Sequence, residues 1–360
     1  MINRLALFVL ITITQLSSAD SFPQSTFDNL DYGLYWSGPN SQYEKAGAHT
    51  ANGSQFYDPA KPTLIYVHGW ADKSSTTQTR EDFNNTRNGR PDVDFAAMWR
   101  NHGYNIGIMY WNQFSDEAEV KDAEAKIWSA TGRKGMRWRN SQGIYATTNS
   151  RSNVSDLLVH SYITAMTQYA GNDIRIAGHS LGNQLAIKMT HMLKQEAQSG
   201  LIPANIVPDR VSLLDSFYSK YAKDYLNGRW NSGVAKDMVV ELKNYGTAID
   251  SYRSSSITTT EFAGDKAIQL HNEVAFVEMG SKFFYWWDIG RKHISATWMY
   301  LWSIDSPMPH ISNSSYSGIS AATPNWIIRD WMYSNRRAVQ SHGLYSKTPA
   351  DNKFTTKGRL

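Results

Sequence analysis

The chain has 360 residues, 41% of them apolar, a net charge of +4 and no cysteine. That length allows one large domain or two small ones. The mixed charge, without a long basic run, gives no reason to expect a nucleic-acid partner, and the missing thiols exclude disulfides, zinc–thiolate sites and a cysteine nucleophile.

The first residues read as an export signal. Arg4 supplies the positive charge, Leu5 to Ile13 the apolar run, and Ser17-Ser18-Ala19 the small residues before a cut. The run is too short for a membrane span, so residues 1–19 are expected to be a secretory signal peptide, and the mature protein to be secreted or periplasmic. The absence of cysteine points toward a bacterial exported protein. Glycosylation-type triplets at Asn52, Asn84, Asn153 and Asn313 leave a eukaryotic route open.

Beyond the signal, a polar stretch holds a short β element around "YGLYW". "TLIYV" (63–67) then reads as a buried strand ending at His68-Gly69, and "YNIGIMYW" (104–111) as a second. A helix is expected over 155–170 with Ser155 as N-cap, a strand over 173–178, a helix over 181–197 and a strand over 209–215. Strands of nearly continuous apolar residues alternating with helices predict a mostly parallel sheet covered on both faces. No linker divides residues 20–330, which are expected to form one domain. Residues 331–360 are polar and basic and read as a loosely ordered tail.

"AGHSLGNQLA" (177–186) places Ser180 between a strand and a helix. A Gly-x-Ser-x-Gly match arises by accident roughly one time in ten in a chain this long, so the flanking elements carry the weight. Strand, tight turn and helix are what a nucleophile elbow requires, and the helix aims its N-terminal N–H groups at a developing oxyanion. "IYVHGW" (65–70) supplies flexible backbone for a second donor. The expected oxyanion donors are the backbone N–H groups of Leu181 and Trp70. His68 is expected to shape its loop, since it precedes the serine.

These segments together resemble the pancreatic-type lipases, a branch of the α/β-hydrolases. "HGWADK" (68–73), "NIGIMYW" (105–111), the elbow, "RVSLLD" (210–215), "AIDSYRSS" (248–255), "VAFVEMGS" (274–281) and "KHISATWMYLWSI" (292–304) follow that family's order. The resemblance implies an α/β-hydrolase fold and a triad of Ser180, Asp215 and His293. The chemistry agrees, because a serine needs a base that titrates near neutrality and a carboxylate that fixes its tautomer. Asp250 is the alternative acid; His271, read as a surface or loop residue, and His310 are the alternative bases.

The resemblance implies hydrolysis of lipid esters, triacylglycerol or phospholipid, through an acyl-enzyme, with no cofactor or metal. The chain departs from the family in lacking its C-terminal β-sandwich, so no colipase-like partner is expected. Only residues 282–292 remain for a lid. Their aromatics Phe283, Phe284, Tyr285, Trp286 and Trp287 are candidates either for transient contact with a lipid interface or for core packing. The stretches 132–153 and 232–246 do not follow the family and are expected to flank the cleft. Two other readings stand beside this one: an exported esterase for soluble or polymeric esters, and a catalytically silent lipase-fold protein that binds lipid.

Overall fold

The apolar runs form strands. The computed structural model describes residues 22–47, 54–84, 89–148, 150–257 and 264–360. The expected signal peptide and the Asn52 triplet lie outside the described residues. Thirteen strands occur among those described: β1 Gly33–Ser37, β2 Tyr43–Lys45, β3 Thr63–Val67, β4 Asn105–Tyr110, β5 Arg137–Arg139, β6 Tyr145–Thr147, β7 Ile174–His179, β8 Arg210–Leu214, β9 Ala248–Arg253, β10 Ala275–Glu278, β11 His310–Ile311, β12 Arg336–His342 and β13 Lys353–Gly358.

Eleven of them build one sheet in the order β2-β1-β4-β3-β7-β8-β9-β10-β12-β13-β11, and β5-β6 form a separate hairpin. From β4 to β12 all neighbours are parallel, while β1 runs antiparallel to β4 and β13 to β12. Every residue of β3, β4, β7 and β8 is buried, as expected for parallel strands covered on both faces.

The chain leaves β3 toward β4 but leaves β7 toward β8, on opposite sides. Right-handed crossovers therefore put helix Phe95–Asn101 and helix Gly182–Gln198 on opposite faces of the sheet. A crevice opens where neighbouring strands diverge in this way, at the carboxyl ends of β3 and β7. With the serine elbow following β7, this is the α/β-hydrolase arrangement. Trp99 and Trp298 are fully buried in the layer beneath, and the Trp99 indole N–H donates to the Leu301 carbonyl at 2.9 Å. No helix among the described residues is long and apolar enough to cross a membrane.

Two expectations need correction. Helix Val154–Met166 is capped by Asn153, not Ser155: Asn153 accepts from the Asp156 N–H and Asp156 reaches back to the Asn153 N–H. Ser155 instead faces inward and donates to the Ile127 carbonyl at 2.8 Å. The supposed tail is also structured. Residues 331–360 complete helix Asn325–Tyr333 and supply β12 and β13, with β12 paired to β10 at Val277–Ala338. Most of their polar residues face outward from a sheet-edge hairpin, Gln340 and Asn352 being buried and bonded to each other, while Ala338 and Phe354 point into the core, a pattern too sparse to stand out in sequence.

Candidate active site

The elbow owes its shape to missing side chains. A Cβ on Gly178 would lie 2.3 Å from the Gly182 carbonyl oxygen, and one on Gly182 would lie 2.2 Å from the Val67 carbonyl oxygen. Only glycine at both positions lets the turn close and the helix settle against β3. Ser180 at the apex takes φ +55°, a left-handed conformation that costs a residue with a Cβ roughly 1–2 kcal/mol. Asp215 is also left-handed, at φ +45°. His179 and Leu214 are register partners at the ends of β7 and β8, so Ser180 and Asp215 emerge side by side.

Asn183, fully buried as the second residue of helix Gly182–Gln198, braces this pair. Its amide donates to the Ser180 carbonyl at 3.0 Å and the Leu214 carbonyl at 3.1 Å, and its oxygen accepts from the Leu214 N–H at 2.9 Å. Sequence reading missed this residue. The sequence offered only an asparagine three positions after the serine, since the strand ends that it bonds are brought together by the fold.

Asp215 is fully buried and surrounded by donors. His293 Nδ1 lies 2.6 Å from one carboxylate oxygen, which also accepts from the Ser255 hydroxyl, and the other oxygen accepts from the Ser254 and Ser255 N–H groups at 2.8 and 3.2 Å. Burial alone would raise the carboxyl's pKa. The hydrogen bond and charge of His293, followed by the Ser255 and Ser254 donors, outweigh it and hold Asp215 below its ordinary range. Ser254 and Ser255, which follow β9, were read only as strand residues. Ser254 also donates to the Lys292 carbonyl at 2.6 Å, fixing the turn of helix Ile289–Trp302 that carries His293.

With Nδ1 committed to Asp215, His293 Nε2 is buried without a hydrogen-bond partner. Ser180 makes no hydrogen bond to it in this structure, a looseness common in unliganded sites. The His179 ring sits 4.5 Å from the His293 ring and His179 Nε2 lies 3.2 Å from the His293 carbonyl. The residue before the serine thus holds the histidine's backbone. Burial, then the neighbouring His293, keeps His179 well below its ordinary pKa and neutral.

The loop after β3 closes the other side. A Cβ on Gly69 would lie 2.7 Å from Ser180 Cβ, so the Gly69–Trp70 backbone passes directly over the serine. Among the described residues neither the Leu181 N–H nor the Trp70 N–H has an acceptor. The loop is anchored from outside: the Trp70 indole donates to the Glu117 carbonyl at 2.7 Å, and the Lys73 and Ser75 N–H groups donate to the Asp116 carboxylate at 2.6 and 2.9 Å.

The alternative residues have other roles. His68 is fully buried; its Nε2 accepts from the Trp111 N–H at 3.1 Å, its Nδ1 meets the Gly69 carbonyl at 2.9 Å, and burial pushes its pKa down to about 3. Asp250 sits in mid-sheet opposite Ser212, bound to Arg210, Ser212 and Tyr252. His271 is a core residue rather than a surface one, packed 4.5 Å from the Phe276 ring, because the short helix 268–271 turns it beneath the sheet. His310 is exposed on edge strand β11.

The five aromatics of 282–292 divide. Phe284 is buried and Phe283 packs 5.5 Å from the Trp298 ring, so these two belong to the core. Tyr285, Trp286 and Trp287 are 70%, 79% and 59% exposed, with the Tyr285 and Trp287 rings stacked at 4.7 Å. Among the expected flanking stretches, 132–153 holds the β5-β6 hairpin and 232–246 most of helix Asn231–Tyr245.

No family model matches the chain, and no curated protein matches it. Among solved structures it is similar to the poly(3-hydroxybutyrate) depolymerase LpqC from Bordetella parapertussis, at 12% identity over 67% of this chain and 69% of that one, with a TM-score of 0.31. It is similar to the fluorophosphonate-binding serine hydrolase FphF of Staphylococcus aureus at 10% identity, over 63% and 81% of the two chains, with a TM-score of 0.29. A thioesterase domain from the curacin biosynthetic pathway matches at 9% identity, over 55% and 75%, with a TM-score of 0.28.

Proposed function

We propose that this chain is an exported serine hydrolase that cleaves carboxylic esters of lipids, akin to the pancreatic-type lipases in its motifs. The observation that carries the reading is the bond from Asp215 to His293 Nδ1, which leaves Nε2 unpartnered beside the serine elbow. Ser180 attacks the ester carbonyl as His293 takes its proton; the Leu181 and Trp70 N–H groups hold the oxyanion; His293 then protonates the leaving alcohol. A water that gives its proton to His293 releases the acyl group and restores the serine.

Lipid is the preferred substrate class because Tyr285, Trp286 and Trp287 stand exposed on the segment leading into the His293 helix. Amphipathic rings in that position suit a membrane–water interface. Export follows from residues 1–19, and mass measurement of the protein recovered outside the cytoplasm would locate the cut near Ala19.

The deciding experiment is hydrolysis of short and long p-nitrophenyl esters by wild type and Ser180→Ala, with phospholipid vesicles assayed in parallel. Ester turnover lost with the serine supports the triad, and vesicle hydrolysis supports lipid. Turnover of soluble esters alone assigns a soluble or polymeric ester instead. A folded wild type that neither turns over nor takes a fluorophosphonate label is a binding protein.

A further inference from the structure

Two consecutive residues beyond β4 hold the loop that crosses Ser180. The Trp70 indole ends on the Glu117 carbonyl at 2.7 Å, and the Lys73 and Ser75 N–H groups end on opposite oxygens of the Asp116 carboxylate at 2.6 and 2.9 Å. Lys73 takes φ +62°, and the chain reversal there brings both N–H groups to one carboxylate. Asp116 and Glu117 are fully buried, with no strand of their own to fix them. A buried carboxylate keeps its place only where donors and opposite charge satisfy it.

Much of that charge comes from the β5-β6 hairpin, which stands outside the main sheet. Arg137 and Arg139 are two residues apart on β5, so their side chains leave the same face. Arg139 Nη1 lies 3.2 Å from the Asp116 carboxylate, and Arg137 donates to the Glu117 carboxylate through Nε at 2.7 Å and again through Nη2. Fully buried Lys126 joins them, donating to the Glu117 carboxylate and to the Arg137 carbonyl, each at 2.6 Å. Tyr145 is the register partner of Arg139. Its ring lies 3.8 Å from the Arg137 guanidinium and its hydroxyl donates to the Asp116 carbonyl at 3.1 Å. The hairpin thus grips residues 116–117 from the side opposite the loop they carry. The stretch 132–153, left without a role by the family resemblance, gains one here.

We propose that Asp116 is a positioning residue for the Trp70 oxyanion donor, and that Arg139 holds Asp116 to that task. The inference rests on the reading of Ser180 as nucleophile and the Trp70 N–H as donor. Asp116 acts through the 73–75 turn, while the Glu117 carbonyl fixes the Trp70 ring. Between these two anchors the Trp70 peptide has one orientation over Ser180. An amide offers a single accepting oxygen where two N–H groups require one each, so Asp116→Asn loosens the turn at constant side-chain size.

Steady-state hydrolysis of a short p-nitrophenyl ester by the full chain tests this, with active serines counted by fluorophosphonate titration. Inhibition by a trifluoromethyl ketone is measured in parallel, because its adduct with Ser180 carries the tetrahedral oxyanion. Asp116→Asn should lower kcat per titrated serine roughly tenfold to a hundredfold, weaken the ketone by a similar factor and leave KM within about twofold. Arg139→Ala should lower kcat about tenfold, and Arg139→Lys, which keeps the charge, should recover most of it. The Arg139 side chain is 22% exposed, so its variants carry the test if Asp116→Asn does not fold. In a Gly69→Ala background the loop is already displaced, and Asp116→Asn should cost little further activity, since both act through one N–H. Folded variants with wild-type kcat per titrated serine overturn the proposal. So do a rise in KM without a fall in kcat, a lysine no better than alanine at position 139, or losses that multiply in the Gly69→Ala background. A wild type without turnover or label fails the hydrolase reading itself, before any of these variants is compared.

Discussion

Gly69 and Ser180 approach so closely that a methyl group on the first would lie 2.7 Å from the Cβ of the second. The Gly69–Trp70 backbone can cross the serine only because position 69 carries no side chain. Gly69→Ala should push the loop, and the Trp70 N–H with it, away from the developing oxyanion. We expect kcat to fall roughly a hundred- to a thousandfold, with a stability loss of about 1–3 kcal/mol from the overpacking that still leaves the protein folded. Steady-state kinetics beside a melting curve decide it, and an active Gly69→Ala enzyme would remove Trp70 from the oxyanion site.

Asp215 and Asp250 can be told apart by what their loss does. Asp215→Asn should leave a folded protein whose His293 is in the wrong tautomer, with kcat down about ten-thousandfold. Asp250→Asn should do the reverse. It strips the buried Arg210 of its counter-charge, costing about 3–5 kcal/mol in urea unfolding, while the fraction that folds keeps its kcat. The opposite pattern would make Asp250 the catalytic acid. Asp215 also carries a pH signature. Its pKa is lower folded than its ordinary 3.8, so its stabilising contribution is complete above that value and is lost as pH falls through the folded pKa. The stability gap between wild type and Asp215→Asn should therefore narrow below about pH 4.

Asn183 joins Ser180 to Leu214 through three hydrogen bonds. Asn183→Ala removes three buried hydrogen bonds and takes the acceptor from the Leu214 N–H, while the Ser180 and Leu214 carbonyls keep backbone donors, at a cost of about 2 kcal/mol. Because the apex of the elbow is then free to shift, kcat should drop while KM for short esters holds. An effect on stability alone would make it a purely structural residue.

Acid should weaken the fold through its buried histidines. His68 and His271 are each pushed by burial from 6.5 down to about 3. Between those values the unfolded chain binds protons that the folded one refuses, so stability falls as pH drops below about 6.5, by about 1.4 kcal/mol per pH unit for each histidine. Urea unfolding at pH 7 and pH 5 measures the slope. His271→Gln should make it shallower by one histidine's share, and an unchanged slope would count against a neutral buried His271.

Trp286→Ala/Trp287→Ala tests the exposed aromatic segment. The double variant should hydrolyse soluble short esters normally and phospholipid vesicles roughly tenfold more slowly. Equal loss on both substrates would place the rings in the catalytic cleft instead of at an interface.

The amino-acid sequence by itself determined what local chemistry can encode. The continuous apolar runs of β3, β4, β7 and β8, the glycines around Ser180, and the strand ends at His68 and Asp215 all follow from residue type and spacing. Hence the parallel sheet and the elbow were legible. Tertiary structure decided the rest, because each remaining role depends on a partner distant in the chain. His293 meets Asp215 across 78 residues, and Ser255 reaches the same carboxylate across 40. Asp250 is held in mid-sheet by an arginine 40 residues away, and His271 is buried by packing that its flanking sequence does not reveal. The C-terminal hairpin joins the sheet only because β10 offers an unpaired edge, which no residue within the hairpin records.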